Sequence, residues 1–454
     1  MPDVYMCDSR ANGEFYARYD LPDLEGPDDI HDIGLDTDHP SAGEEGPMDS
    51  CLEWLLGTML HSSAGKRRPG VASAGDVIIL RDGSYRHFRN THPYRGPEPI
   101  TIAALNSGKV RIRPNPVGGS QTHYVEAGHN VITRGLVFGG DDLSAIQNEN
   151  AFSKRFENDP DAEENYLSSD VHFQNCDIDG GWDFRTATGV RNKWGGLHYF
   201  LGRTRKERGT IGWSWRGGRM TGIAKEHIVG YIHGLRGNVE YSDLWVDGAG
   251  RTAFQFTGRQ GEGPPSAGNV LVKNVVAQNT GLEQGGGGAC LSIKGGGRYK
   301  VFLDHVVMRQ GCDDTLHPVY HDNVVGNVVA HMPDDAHQWQ PSLVMSNSRM
   351  VMGLKLPGRG SARRPNVDLA HLELCRLRGH NEIWCGPGTR EALVLDLDTI
   401  GRLALEGTQD IQGDVLIKHH GRNIAFKDPA RDGRGWLEAR TWMMTNDIAT
   451  DPLD

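Results

Sequence analysis

Apolar residues recur at alternate positions in three segments that superimpose on one another: Val239-x-Tyr241-x-Asp243-x-Trp245, Val270-x-Val272-x-Asn274-x-Val276 and Val301-x-Leu303-x-His305-x-Val307. Their leading valines are spaced by 31 residues. A period of two belongs to a strand with one face turned inward, so each segment predicts a strand. Weaker copies begin at Val131, Val171 and Val415, and Gly248/Gly250, Asn279/Gly281 and Gln310/Cys312 mark the turns that follow the three main copies. Short strands returning every 20 to 45 residues or so are the signature of stacked coils. No amphipathic helix of about 12 residues recurs between them, which disfavours a βαβ sheet or a leucine-rich horseshoe. A β-propeller would need four strands per repeat, and only two or three are legible. The pattern predicts an all-β fold, a right-handed parallel β-helix, with residues from about 70 to 425 wound as one continuous coil.

A second strand family lies between these copies: Ile228–His233, Ala253–Arg259, Cys290–Lys294 and Leu316–His321. If the apolar residues of this family face the core, the alternate set stacks into one outward surface. That surface would carry His233, Gln255, Thr257, Arg259, Ser292, Lys294 and either His317 or His321. Gly- and Pro-rich insertions at 258–268, 281–289 and 353–365 flank it, and long loops beside one stacked face are how a solenoid walls a binding groove.

At the front of the chain, Ser50-Cys51-Leu52-Glu53 has the form of a capping box and leads into Trp54, Leu55, Leu56, Met59 and Leu60, predicting a short amphipathic helix that covers the first coil. Gly75–Tyr85, Pro99–Ala104 and Lys109–Ile112 predict further strands. The organisation expected is an acidic irregular segment at 1–49, a β-helix with its capping helix at 50–425 and a C-terminal tail at 426–454.

Composition fits this picture. Sixty glycines and only 37 % hydrophobic residues suit many turns around a thin core. The net charge of -11 is concentrated at residues 20–49, which hold eleven Asp or Glu and no Lys or Arg. Net acidity argues against nucleic acid as a partner. No apolar run approaches the roughly 18 residues of a membrane span. Met1–Arg10 lacks a basic region followed by an apolar one, so no signal peptide is read there, leaving a cytoplasmic, phage-borne or leader-trimmed protein. The seven cysteines form no C-x-x-C pair and read as buried reduced thiols. Asp36-x-Asp38 lacks the remainder of an EF-hand loop, and the glycine runs at 285–288 and 295–297 lack a P-loop pattern.

Three constellations carry candidate chemistry. Arg259 and Lys294 would share the outward face on adjacent coils; elimination across a uronic acid needs a cation to neutralise the carboxylate and a base to take the C5 proton. The dull reading is a solvated surface pair. Asp313-Asp314, close to His317 and His321, offers carboxylates for glycoside hydrolysis, against a capped Asp turn. The third groups His227 and His233 with Trp213-Ser214-Trp215 and Trp194–Tyr199, which includes His198. Here Arg191, Lys193 and Arg203 would bind carboxylates or sulfates and Trp194 a sugar ring, against aromatics stacked inside the coil.

The segments Gly75–Tyr85, Pro99–Ile102 and Gly135–Phe138 resemble the entrance of the parallel β-helix polysaccharide lyases of the alginate lyase and chondroitinase B type. The resemblance implies that fold, a Lys base and an Arg acid on neighbouring coils, and calcium as a candidate cofactor. The middle of the chain departs from the family's motifs, so no residue is carried over by alignment.

The leading expectation is an enzyme cleaving an acidic polysaccharide by β-elimination, with Lys294 as base, Arg259 as carboxylate neutraliser and His233 or His317 as proton donor. Gln255, His227 and His321 join Arg191, Lys193, Trp194, His198 and Arg203 as substrate contacts. The alternatives are a hydrolase using Asp313 or Asp314, and a non-catalytic glycan-binding or phage-structural solenoid.

Overall fold

A computed structural model of the chain describes residues 3–10, 13–20, 51–59, 67–86, 88–90, 97–113, 124–126, 129–139, 146–149, 169–180, 196–201, 212–223, 226–231, 237–249, 252–257, 268–280, 289–294, 300–309, 328–331, 342–346, 349–352, 375–378, 380–385, 391–400 and 403–450. Short parallel strands dominate it. The chain forms two compact units, one of Met1–Gly181 with Leu197–Leu201 and Thr210–Arg219, the other of Trp182–Gly196, Gly202–Gly209 and Met220–Asp454.

In the first unit three files of parallel strands repeat in a fixed order. The first file stacks Asp3–Arg10, Val77–Leu80, Ile100–Ala104, His129–Arg134, Ser169–Gln174 and the opening residues of Trp213–Ile223. The second stacks Gly83–Tyr85, Val110–Ile112, Leu136–Gly139 and Asp177–Asp179. The third stacks Phe88–Asn90, Tyr124–Glu126, Ile146–Glu149 and Gly196–Leu201. Successive visits of one chain to the same three files make a parallel β-coil, and a propeller blade, built from antiparallel neighbours, is excluded for these strands.

The turn between the first two files needs a left-handed residue, and the chain supplies Gly135 (φ 68°), Asn175 (φ 50°) and Gly217 (φ 75°) on successive rungs. Gly135 N–H donates to the Gln174 carbonyl at 3.0 Å, and Asn175 N–H to the Arg216 carbonyl at 2.7 Å. Inside, Phe138, Phe173, Trp213 and Trp215 are buried, with Phe173 stacked on Trp215 at 4.5 Å. Of the two readings open for Trp213-Ser214-Trp215, an exposed sugar platform or aromatics stacked inside the coil, the second holds: both indoles are buried on the inward parity of a strand in the first file. Cys7, Cys51 and Cys176 are buried thiols, and burial pushes the Cys176 thiol up to about 12.

The second unit repeats the scheme. Val239–Ala249, Val270–Gln278 and Lys300–Arg309 stack in the register expected from the repeat, Val239 on Val270 on Val301. The inward parity changes midway, however. Val239 and Tyr241 are buried, Asp243 is exposed, and beyond it Leu244 and Val246 are buried while Trp245 is 39 % exposed. The cause is a corner: Asp243, Asn274 and His305 occupy one register position with φ of 56°, 51° and 52°. Asn274 Nδ2 donates to Asp243 Oδ1 at 2.5 Å across this corner. Val415 is corrected too, since it lies on Asp414–His419 beside Glu391–Asp396, in another file from Val239.

Both ends carry more structure than expected. The segment read as irregular begins with Asp3–Arg10 paired antiparallel to Gly13–Asp20, and Val4, Tyr5, Met6 and Cys7 are buried because this strand is itself a rung against Val77–Leu80. The helix at the capping box spans Cys51–Leu56, and Met59 falls in a strand, Gly57–Met59, paired with Arg67–Pro69. The C-terminal segment holds the helix Arg434–Thr445, with Trp436, Ala439 and Met443 buried, and then Ala449–Thr450, a last rung beside Leu403–Leu405. No helix among the described residues is long and apolar enough to cross a membrane.

Candidate functional site

The third file of the second unit holds three of the four strands on which the sequence pattern placed an outward face. Glu226–Tyr231, Thr252–Thr257, Ala289–Lys294 and Val328–His331 stack in parallel. Ile228, Phe254 and Leu291 share one register position and are buried; Phe256 is buried two residues further on, at the position of Gly230, Ile293 and Ala330. Tyr241 packs edge-on to Phe254 with ring centroids 5.8 Å apart, which anchors this parity to the core. Between and beyond the inward positions run two further register rows: Val229, Gln255, Ser292 and Val329, then Tyr231, Thr257, Lys294 and His331. Adjacent strands lie about 4.8 Å apart, so Lys294 has Thr257 on one side and His331 on the other at that backbone spacing.

His331 was missed by sequence reasoning. The rung after Ala289–Lys294 is Val328–His331, so the place given to Leu316–His321 is taken by a different segment. The available signal was the apolar run Val328-Val329-Ala330 ending in a histidine, a strand too short to stand out by periodicity. Gln255 is half-buried on its rung, and His227 lies in Glu226–Tyr231 just before buried Ile228. His198 pairs with Ile146 in the first unit. Arg259, His233, His317, His321, Asp313, Asp314, Arg191, Lys193, Trp194 and Arg203 lie outside the described residues.

A polar cluster lies along the first file of the first unit. His172 Nδ1 lies 2.8 Å from Ser214 Oγ on the next rung, a hydrogen bond whose direction depends on the imidazole tautomer. Nearby, burial raises the Asp170 carboxyl above its usual range, with His172 opposing the shift. A hydroxyl bonded to an imidazole has the chemistry of a nucleophile and base. Ser214 is only 4 % exposed, so the pair acts as a rung-to-rung tie of the first file.

Comparison with known proteins finds no matching family model and no curated protein similar in sequence. Solved structures do match. One is an alginate lyase from Paenibacillus sp., at 11 % identity over 77 % of this chain and 94 % of that one, with a TM-score of 0.35. Another is the A-module of a mannuronan C-5 epimerase from Azotobacter vinelandii, at 11 % identity over 76 % and 90 % of the two chains, with a TM-score of 0.37. A third is a pectin methylesterase in complex with a hexasaccharide, at 8 % identity over 68 % and 76 %, with a TM-score of 0.29.

Proposed function

We propose that this chain is a carbohydrate-active enzyme that cleaves an acidic, uronate-containing polysaccharide by β-elimination along the third file of its second unit. The observation that carries the reading is the register of Lys294, aligned with Thr257 and His331 one position past the buried Phe256 row. An extended polymer suits a face that repeats at strand spacing, because each sugar can meet a different rung.

In this reading Lys294 removes the C5 proton of a uronate while Arg259, two residues after Thr257 in the sequence, neutralises the carboxylate. Neutralisation stabilises the negative charge that develops as the C5–H bond breaks. The electron pair forms the C4–C5 double bond, the C4–O bond breaks, and a proton is delivered to the leaving oxygen. His331 joins His233 and His317 as candidate donor, being the register neighbour of the base. A lysine serves as base when cationic neighbours lower its proton affinity, which Arg259 and a charged imidazole would supply. The proposal extends to architecture: the coils are taken as right-handed, as about 98 % of parallel crossovers are, and Cys51–Leu56 as the cap of the first coil.

The test is incubation with a panel of uronate polymers and sulfated glycans. Elimination leaves an unsaturated sugar that absorbs in the near ultraviolet, and this is the expected result. New reducing ends without absorbance would replace the proposal with hydrolysis by Asp313 or Asp314, and binding without new ends would replace it with a glycan-binding solenoid.

A further inference from the structure

We infer that Asp398, His419 and His420 form a binding site for a borderline divalent transition-metal ion of the zinc, copper and nickel group. The three residues offer one ligand atom each, a carboxylate oxygen and two imidazole nitrogens, all within 4.8 Å of one another. They belong to two neighbouring elements of the second unit. His419 ends the strand Asp414–His419, His420 and Gly421 form the two-residue loop of its hairpin with Arg422–Phe426, and Asp398 lies on the short helix Leu397–Ile400.

The hairpin geometry creates the cluster. A two-residue loop of the type I′ kind needs left-handed residues at both positions, and His420 (φ 49°) and Gly421 (φ 69°) adopt them. Histidine is, with Asn and Asp, among the non-glycine residues that enter this conformation most readily. The backbone N–H groups of His420 and Gly421 both donate to the Asp398 carboxylate, the second at 2.9 Å. These hydrogen bonds, with that of Gly421 foremost, hold the Asp398 carboxyl below its usual range. They also orient it as outer partners orient a metal-binding carboxylate, and a carboxylate has lone pairs left after accepting two such bonds.

Two further observations point to a ligand. His419 Nδ1 is buried and has no hydrogen-bond partner among the described residues. The His419 ring is fixed from the other side, edge-on to Trp442 with centroids 5.6 Å apart, and lies 3.9 Å from the His420 ring. Imidazole with one carboxylate selects zinc, copper or nickel over calcium or magnesium, which take oxygen ligands. A tetrahedral ion needs ligand atoms roughly 3.3 Å apart, so binding would draw the exposed Asp398 and His420 side chains inward and leave a fourth position for water.

The site stands independently of the polysaccharide reading. The experiment uses the full chain without an affinity tag, titrated with Zn²⁺ alone by calorimetry and with Cu²⁺ alone for frozen-solution electron paramagnetic resonance. One ion should bind per chain, with nitrogen hyperfine structure from two imidazoles in the copper spectrum. His420→Asn, which keeps the left-handed turn, should weaken the ion's binding by about tenfold or more, and Asp398→Asn and His419→Gln should do likewise. The control is His305→Asn, also at a left-handed position and beside a carboxylate, Asp304 at 2.9 Å, and it should bind as the parent does. Unchanged affinity in His420→Asn, or a copper spectrum without histidine nitrogen, overturns the site whatever the glycan panel shows.

Discussion

Lys294 and His331 occupy the same register position on adjacent parallel strands, with Thr257 on the other side of Lys294. The proposed elimination places base and proton donor together here. Lys294→Ala should lower the rate of ultraviolet-absorbing product by about 10² to 10⁴, the usual worth of a general base, while leaving stability within about 0.5 kcal/mol. His331→Ala should cost less if other histidines share proton delivery. Steady-state rates beside a thermal melt check both, and full activity in Lys294→Ala removes it as the base.

The corner at Asp243 divides residues that one uninterrupted alternation would assign the other way. Leu244 is 3 % exposed and Trp245 39 %. Leu244→Ala should therefore destabilise by roughly 2 to 5 kcal/mol through cavity formation, and Trp245→Ala by about 1 kcal/mol or less. Denaturant titration of the two variants decides it, and the reverse order would mean the parity does not invert at the corner.

Glycines of the first unit separate strain from collision. Gly108 has φ 77° and open space around a would-be Cβ, so Gly108→Ala should cost only the left-handed penalty of about 1 to 2 kcal/mol. Gly139 has φ 115°, and its Cβ would collide with the Asp179 carbonyl on the next rung. Gly139→Ala should therefore cost clearly more, above about 2 kcal/mol. Equal shifts in the denaturation midpoint would show that the neighbouring rung gives way.

Much of the fold was legible because a strand's parity is a local property. Val239, Val270 and Val301 announce their stacking at one spacing, and Phe254, Phe256 and Leu291 announce their inward face. Non-local pairing was not legible. Asp3–Arg10 reads as an acidic front end, yet its burial comes from Val77–Leu80, more than seventy residues away in sequence. The corner was hidden in a similar way, since Asp243, Asn274 and His305 look like polar residues in an unbroken strand until their left-handed backbone is seen. For the site, alternation located Lys294 and Gln255 on their rungs, but choosing the next rung meant comparing Leu316–His321 with Val328–His331, and a four-residue strand carries too little period to win on sequence. The metal cluster was invisible because its carboxylate and imidazoles meet only through a hairpin turn and a separate helix.

Asp428 ties the C-terminal elements together and sets an acid limit on their stability. Its side chain accepts N–H groups from Gly413 at 3.0 Å, Gly433 at 2.9 Å and Asp432 at 3.1 Å, and the residue is 2 % exposed. Burial alone would raise its carboxyl, but the donors of Gly413, Gly433 and Asp432 outweigh it, so the folded value lies below the ordinary 3.8. A carboxyl lowered on folding contributes its full stability above the unfolded value, and loses it as pH falls through the folded one. The parent should therefore keep this contribution above about pH 4 and lose it progressively below. Asp428→Asn keeps the shape but removes the charge from a buried acceptor of three donors, so it should cost on the order of 2 to 4 kcal/mol near neutral pH. Its stability deficit against the parent should shrink as the pH falls below 3.8. Chemical denaturation of both proteins between pH 7 and pH 3 measures the gap, and a gap that stays constant or widens towards acid would show that the carboxylate charge is not what holds the turn.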